Sequence, residues 1–348
     1  VLSGTNLTIG EMDVNGNILK MKRYVTSFFN QEAALKVMCD SIANYRDNVG
    51  YIGNPLAVGI GVIGRVDPVG GIWQQIDPDR TQPIALAAEM GSATGMPCFI
   101  DNDVKGSARA VMRWGFGRIS QNFIYIYVGT GIAASVIIDG KQIRGSHFNA
   151  GEVGHLRVGV QVGLRCPCGR IDCVETIASS IGFDRQARYL HKYYNTQLVI
   201  PDEDSRVSVA EVYRLAKQGD ALCIKIVDNA AEALANLIMN MVRVSDPDTV
   251  VLGGEMVADG YLQYEPEWES IYAYNNQDGS GGRFVPQDDG RLYISTYGYF
   301  NFADGMESLW FDEDGSGSAG GYTEDDANGD DGNYDSYDVS SLAGIWYY

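Results

Sequence analysis

The sequence predicts a duplicated α/β architecture, two lobes with a cleft between the halves, followed by an acidic low-complexity tail. Three observations carry this. A pattern of hairpin, helix and buried strand occurs twice before residue 260, each time with glycines in the turn between strands. Within it the apolar residues switch between helical and strand spacing. Charge is uneven: residues 261–348 hold 18 acids against two arginines and no lysine, and so supply −16 of the net −19.

The elements follow in order. Leu7 to Met12 and Asn17 to Val25 flank Asn15-Gly16, a pair that favours the two positive φ angles of a type I′ hairpin. Ala34, Leu35, Val37, Met38, Ile42 and Tyr45 recur at helical spacing, and Leu56 to Ile63 is a buried strand. A helix around Ile84 to Met90 precedes a short strand, Cys98 to Ile100, which ends in the polar run Asp101-Asn102-Asp103. The pattern restarts at Phe123: a strand breaks at Gly129-Thr130-Gly131, and a second, Ala134 to Ile138, turns at Asp139-Gly140. Ser208-Val209-Ala210-Glu211 reads as a capping box and Gly219 as its helix stop. Ile226, Ala230, Leu234, Leu237 and Met241 mark a long amphipathic helix, and Thr249 to Leu252 is a buried strand running into Gly253-Gly254. Ligands of such sheets gather at strand ends. Beyond residue 260, Gly, Asp, Asn, Ser and Tyr dominate, and that composition specifies no fold. The expected division is residues 1–110, 111–260 and 261–348.

Composition narrows the function classes. Hydrophobic residues make up 45% and charged residues 20% of 348, which excludes a wholly disordered, collagenous or disulfide-stapled chain. No run reaches the ~18 apolar residues of a membrane span; Phe123 to Ile138 is cut by Gly129-Thr130-Gly131. No basic and apolar leader follows Val1, and three of six cysteines crowd between 166 and 173, so a reducing cytoplasm is expected. A strongly negative chain without a basic patch offers nucleic acid no surface.

The sharpest chemical signal is His155 with Cys166, Cys168 and Cys173. Three thiolates and one imidazole make a closed tetrahedral zinc site, and the C-x-C and x4-C spacing lets one tight loop supply three ligands. The bland alternative is three reduced thiols that bind nothing, or a disulfide.

The run Asn149-Ala-Gly-Glu152-Val-Gly-His155, followed by Cys166-Pro-Cys168-Gly-Arg-Ile-Asp-Cys173-Val-Glu175, resembles the signature of the ROK family of bacterial sugar kinases and sugar-responsive repressors. The resemblance extends through Val58 to Gly64, Asp101-Asn102-Asp103, Gly129-Thr130-Gly131 and Asp246 to Gly254, about residues 3 to 258. It implies an actin-like ATPase (ribonuclease-H-like) two-lobed fold, which agrees with the duplicated pattern. It also implies a hexose or N-acetylhexosamine ligand held around Gly64 by Asn102, Asp103, Glu152, His155 and Glu175. Carboxylates and an amide supply the paired acceptors and donors a polyol needs. His155 could serve twice, with one nitrogen on zinc and the other on a hydroxyl. If the chain is a kinase, Asp103 is the general base and Mg²⁺-ATP the co-substrate, cradled by Gly4, Thr5, Gly129, Thr130, Gly131, Gly253 and Gly254.

Two departures weigh against catalysis. Val1 stands where family kinases carry an acid that helps hold Mg²⁺-ATP, and Ile132-Ala133-Ala134-Ser135 stands where more glycines are usual. Added Cβ atoms crowd a backbone meant to approach phosphate. The favoured expectation is therefore the sugar-sensing and oligomerisation region of a ROK-type repressor, a homodimer or homotetramer. It would contact DNA only through an N-terminal helix-turn-helix module absent from this chain. The alternative is an ATP-dependent hexose or N-acetylhexosamine kinase.

Overall fold

The computed structural model describes residues 1–2, 6–28, 30–76, 82–114, 120–202 and 204–258, together with the backbone of four strands between 271 and 301. Two compact units result, Val1–Arg118 with Gln142–Ala150, and Ile119–Lys141 with the described residues from Gly151 onward.

In the first unit, β1 (Asn6–Met12) and β2 (Ile18–Val25) form the expected antiparallel hairpin. Its turn is not type I′: only Gly16 takes a positive φ, 96°. The Asp13 carboxylate accepts from the N–H groups of Asn15 and Asn17, both at 2.9 Å, and this local bonding holds a wider loop than Asn-Gly alone would choose. Helix α1 (Gln31–Asn44) starts at Asn30, whose side chain accepts from the Ala33 N–H, and buries Gln31, Ala34 and Met38 before a π turn at Tyr45–Val49.

Strand β3 (Val58–Val62) runs parallel to β6 (Cys98–Asn102), with the hairpin β4 (Arg65–Asp67) and β5 (Ile72–Gln75) and helix α2 (Leu86–Thr94) between them in sequence. Helix α3 (Asp103–Trp114) follows β6 without an intervening residue. It escapes a reading of the sequence because it begins at the last residue of the polar Asp101-Asn102-Asp103 run, although Val104, Ala108 and Val111 are buried at helical spacing. Leu2 pairs antiparallel with Leu7 and parallel with Val62, joining hairpin and parallel pair over a core of Leu7, Val62, Trp73, Leu86 and Ile100.

In the second unit β7 (Phe123–Val128) is central, antiparallel to β8 (Ile132–Ile138) and parallel to β10 (Thr249–Gly253). The two-residue strand β9 (Lys141–Gln142) lies at the sheet's edge, where the chain leaves this unit. β7 is buried at five of its six positions, so its apolar residues run without alternation, as a strand covered on both faces requires. Asp139 and Gly140 both take positive φ, 50° and 67°, giving the hairpin turn expected there.

Around the sheet lie α4 (Val174–Ala178), α5 (Ser180–Leu190), α6 (Val209–Lys217), α7 (Ala221–Ser245) and α8 (Glu255–Ala258). Helix α7 spans 25 residues and buries Leu222, Ile226, Ala230, Ala233, Leu237 and Met241 in the core. At α6, Ser208 accepts from the Glu211 N–H at 3.3 Å, but the Glu211 carboxylate turns to Arg214 at 2.6 Å, so only half of the capping box forms. An adjacent guanidinium attracts a carboxylate more strongly than a backbone N–H does. Strands β11 (Ile271–Tyr274), β12 (Gly281–Pro286), β13 (Arg291–Ile294) and β14 (Gly298–Asn301) form an antiparallel meander. The low-complexity stretch expected from Trp310 to Asp338 lies outside the described residues. Among the described residues no helix is long and apolar enough to cross a membrane.

Asp220 caps α7 more heavily than a helix start needs. Its carboxylate accepts from the N–H groups of Leu222, Cys223 and Gln197 and from the Thr196 hydroxyl, all between 2.8 and 3.1 Å. Burial pushes its pKa up, but these donors outweigh burial and leave it below the usual value. A depressed carboxylate pKa stabilises the fold fully above the unfolded value of about 3.9, and that stability is lost as pH falls through the lower folded value. Asp220→Asn should therefore cost stability at pH 7, about 1–2 kcal/mol in a denaturant titration. The difference from the parent should shrink toward pH 2.

Candidate functional site

The second unit assembles the cysteine loop and the Gly-Glu-x-Gly-His run against β8. Cys166 to Cys173 is a tight knuckle in which the Cys166 N–H donates to Arg170 O at 2.8 Å and the Gly169 N–H to Cys166 O at 3.0 Å. Gly169 and Asp172 take φ of 87° and 58° to close it. The Asp172 carboxylate accepts from the N–H groups of Gly163 and Leu164, both at 2.8 Å, and pins the loop's base. Val174 N–H donates to Leu156 O at 2.9 Å, which places Cys173, the N-cap of α4, beside the 3₁₀ turn Val153–His155.

The four expected metal ligands converge: their donor atoms all lie within 4.8 Å of one another. Cys166 Sγ is 3.5 Å from His155 Nδ1, and Cys168 Sγ is 3.6 Å from Cys173 Sγ. None of the cysteines is in a disulfide. Tetrahedral zinc with Zn–S bonds of about 2.3 Å sets sulfurs about 3.8 Å apart, so the spacing and the donor set both fit that metal. With Nδ1 turned to the thiols, Nε2 is the nitrogen left for another partner. Burial pushes the Cys166 and Cys173 thiols up. At Cys168 burial is overcome, the Arg170 N–H and the neighbouring thiols drawing the thiol down.

The same loop carries Glu175, in the first turn of α4. Its Oε2 accepts from the Ile132 N–H at 3.2 Å, and Gly131 sits beneath it, where a Cβ would come within 2.8 Å of that oxygen. Gly151, with φ 98°, accepts from the Ala134 N–H at 2.8 Å, and a Cβ on it would overlap Ala134 O. A Cβ on Gly154 would likewise strike Ile132 O and come within 3.2 Å of Glu175 Cβ. Thus Glu152, His155 and Glu175 are gathered at the start of β8, and the two glycines of the run are what allow that close approach.

The first unit gathers Gly64, Asn102 and Asp103 where β6 ends and α3 begins. Asn102 is buried; its Nδ2 donates to Gly64 O and its Oδ1 accepts from the Lys105 N–H, both at 3.0 Å. An amide so fixed keeps one N–H and one lone pair for a ligand hydroxyl. Gly64 has φ 82°, and a Cβ there would strike Gln75 O and Ile76 O. Asp103 Oδ1 accepts from the Val104 N–H at 2.9 Å.

Residues that spacing does not reveal brace this strand end. Arg144 grips Asp101 with two bonds of 2.9 and 2.6 Å, and the nearly buried Lys105 donates to Phe148 O at 2.7 Å. Both join parts of the chain 43 residues apart, a separation without a local sequence signal.

The residues expected to cradle a nucleotide fare differently. Gly4 and Thr5 lie outside the described residues. Gly129 and Gly253-Gly254 do come together, because β10 pairs in parallel with β7 in a register that sets Gly253 opposite Tyr127. A carboxylate sits on the turn, however: Tyr127 Oη donates a very short hydrogen bond to Glu255 Oε2, and a Cβ on Gly129 would overlap that same oxygen. The Gly129 N–H is spent on Gly131 O at 3.0 Å and the Ile132 N–H on Glu175. A polyphosphate needs such N–H groups free and repels carboxylates, so the Gly129 end of this turn, among the described residues, does not fit a nucleotide's phosphates.

The chain is 27% identical over 278 residues to a glucokinase of Thermotoga maritima, covering 78% of this chain and 86% of that one. It is 24% identical over 251 residues to the N-acetylglucosamine repressor of Escherichia coli O157:H7, covering 72% of this chain and 61% of the repressor. Among solved structures, a ROK family glucokinase from Streptomyces griseus in complex with glucose and AMPPNP matches with TM-score 0.60 and 26% identity, over 74% of this chain and 82% of that one. A ROK family transcriptional regulator homologous to the E. coli MLC protein matches with TM-score 0.62 and 26% identity, over 73% and 63%. These likenesses and the two α/β units agree on the actin-like ATPase fold. The ROK family profile matches residues 2–278, and the chain belongs to the ROK family.

Proposed function

We propose that this chain is the sugar-sensing, effector-binding and oligomerisation region of a ROK-type transcriptional repressor, with a hexose or N-acetylhexosamine as effector. The observation that supports it is where the backbone after Gly129-Thr130-Gly131 is committed. Ile132 N–H bonds Glu175, Ala134 N–H bonds Gly151 O, and Ile132 and Ala134 are themselves buried in the core. The stretch that phosphate would need as open glycine backbone is built into the support of the expected sugar residues instead.

In this reading Asn102, Asp103, Glu152, His155 and Glu175 bind sugar hydroxyls beside Gly64. His155, Cys166, Cys168 and Cys173 hold a structural zinc that fixes the His155 ring. DNA contact belongs to a module outside this chain, which spans 61% of the length of the matched repressor. The protein works in the cytoplasm as a homodimer or homotetramer.

One observation favours the second reading, an ATP-dependent sugar kinase: Asp103 heads α3 at the end of β6, where a base could take the proton of an attacking hydroxyl. Calorimetric titration with a panel of hexoses and N-acetylhexosamines, followed by a phosphorylation assay with Mg²⁺-ATP, separates the two. The expected result is saturable sugar binding, weakened by Asp103→Asn, and no sugar phosphate. Turnover of about 1–100 s⁻¹ that disappears in Asp103→Asn would establish the kinase instead.

A further inference from the structure

We infer that Glu255 is the residue that closes this protein to nucleotides, acting as a tethered carboxylate plug on the Gly129 turn; the inference deepens the non-catalytic reading and rests on it. Three observations converge. Glu255 follows Gly253-Gly254 at the end of β10, and the parallel register with β7 carries it to the end of β7. Gly254, with φ 106°, permits that approach, since a Cβ there would strike the backbone of Val128. Tyr127, on β7 itself, then holds the carboxylate by donating its hydroxyl proton to Oε2.

The plug works in two ways. Glu255 Oε2 covers the space above Gly129 that a phosphate oxygen would need. Its charge also adds to that of Glu175, which covers Gly131 at the other end of the same turn, so an incoming polyphosphate meets two carboxylates across three residues. Glu175 also accepts from the Ile132 N–H, whereas Glu255 is held on the turn by Tyr127.

The test is calorimetric titration of the full chain with Mg²⁺-ADP and Mg²⁺-AMPPNP, with sugar affinity as the control for folding. The parent should show no saturable nucleotide binding at millimolar concentration. Glu255→Gln removes the charge but keeps the shape, and Glu255→Gly removes both. Each should bind nucleotide at least about tenfold more tightly than the parent, the second more than the first, because relieving a like-charge contact in a partly buried site is worth that much or more. Tyr127→Phe keeps the charge and cuts the tether, and should give a smaller gain. If neither Glu255 variant gains affinity while sugar binding is intact and the parent remains nucleotide-free, the inference fails and the non-catalytic reading survives. If the parent itself binds nucleotide, both fail.

Discussion

One zinc per chain is the expected result of metal analysis on protein purified without chelator, and Cys168→Ser should reduce it to near zero. Only His155, Cys166, Cys168 and Cys173 bring donor atoms to within 4.8 Å of one another as a His/Cys/Asp/Glu group among the described residues. The metal matters because it would join four side chains of a knuckle that is otherwise closed by hydrogen bonds, among them Cys166 N–H to Arg170 O, Asp172 N–H to Leu164 O, the Arg170 guanidinium to His155 O and the Asp172 clasp. Structural zinc in small fingers supplies about 10–16 kcal/mol of apparent binding free energy. A knuckle fastened to a larger core needs only part of that, yet stripping the metal should lower the unfolding midpoint by about 10 °C, since 1 kcal/mol moves a domain of this size by about 2–4 °C. Binding requires thiolates, and burial pushes Cys166 and Cys173 up, so protons compete with the metal and affinity should rise with pH. A zinc content near zero that does not change in Cys168→Ser, or a disulfide within the quartet, would reject the site.

The second large effect is expected at Glu152 and Glu175. Losing a charged acceptor for a sugar hydroxyl costs about 1.5–3 kcal/mol per hydrogen bond, which is roughly a ten- to hundredfold loss of affinity. Glu175→Ala should also lower fold stability, because it leaves the Ile132 N–H without the carboxylate it bonds. Calorimetry with the best sugar of the panel measures both affinity losses, and zinc content checks that the knuckle is intact. If both variants bind as tightly as the parent, the sugar lies elsewhere and the Gly-Glu-x-Gly-His run is structural only.

How much of this was legible in the chain depended on distance along it. The quartet was readable because a C-x-C and an x4-C spacing on one turn leave few ways to place three sulfurs apart, and His155 lies only eleven residues before the first of them. The long α7, the central β7 and the Asp139-Gly140 turn were readable for the same reason, since periodicity and turn chemistry act over a few residues. Short-range reading failed where a neighbouring side chain competed for the same group. Asp13 took over the Asn15-Gly16 turn, and Arg214 drew Glu211 away from its cap.

Sequence alone thus determined the duplicated α/β pattern, the cysteine knuckle and the residue types suited to a polyol. Only the tertiary structure decided what sits on the glycine turn. Tyr127 and Glu255 are 128 residues apart, and nothing in the spacing of either connects them. They meet because the parallel register of β10 on β7 sets Gly253 opposite Tyr127, and register is fixed by which side chains the core buries rather than by the residues at the strand ends.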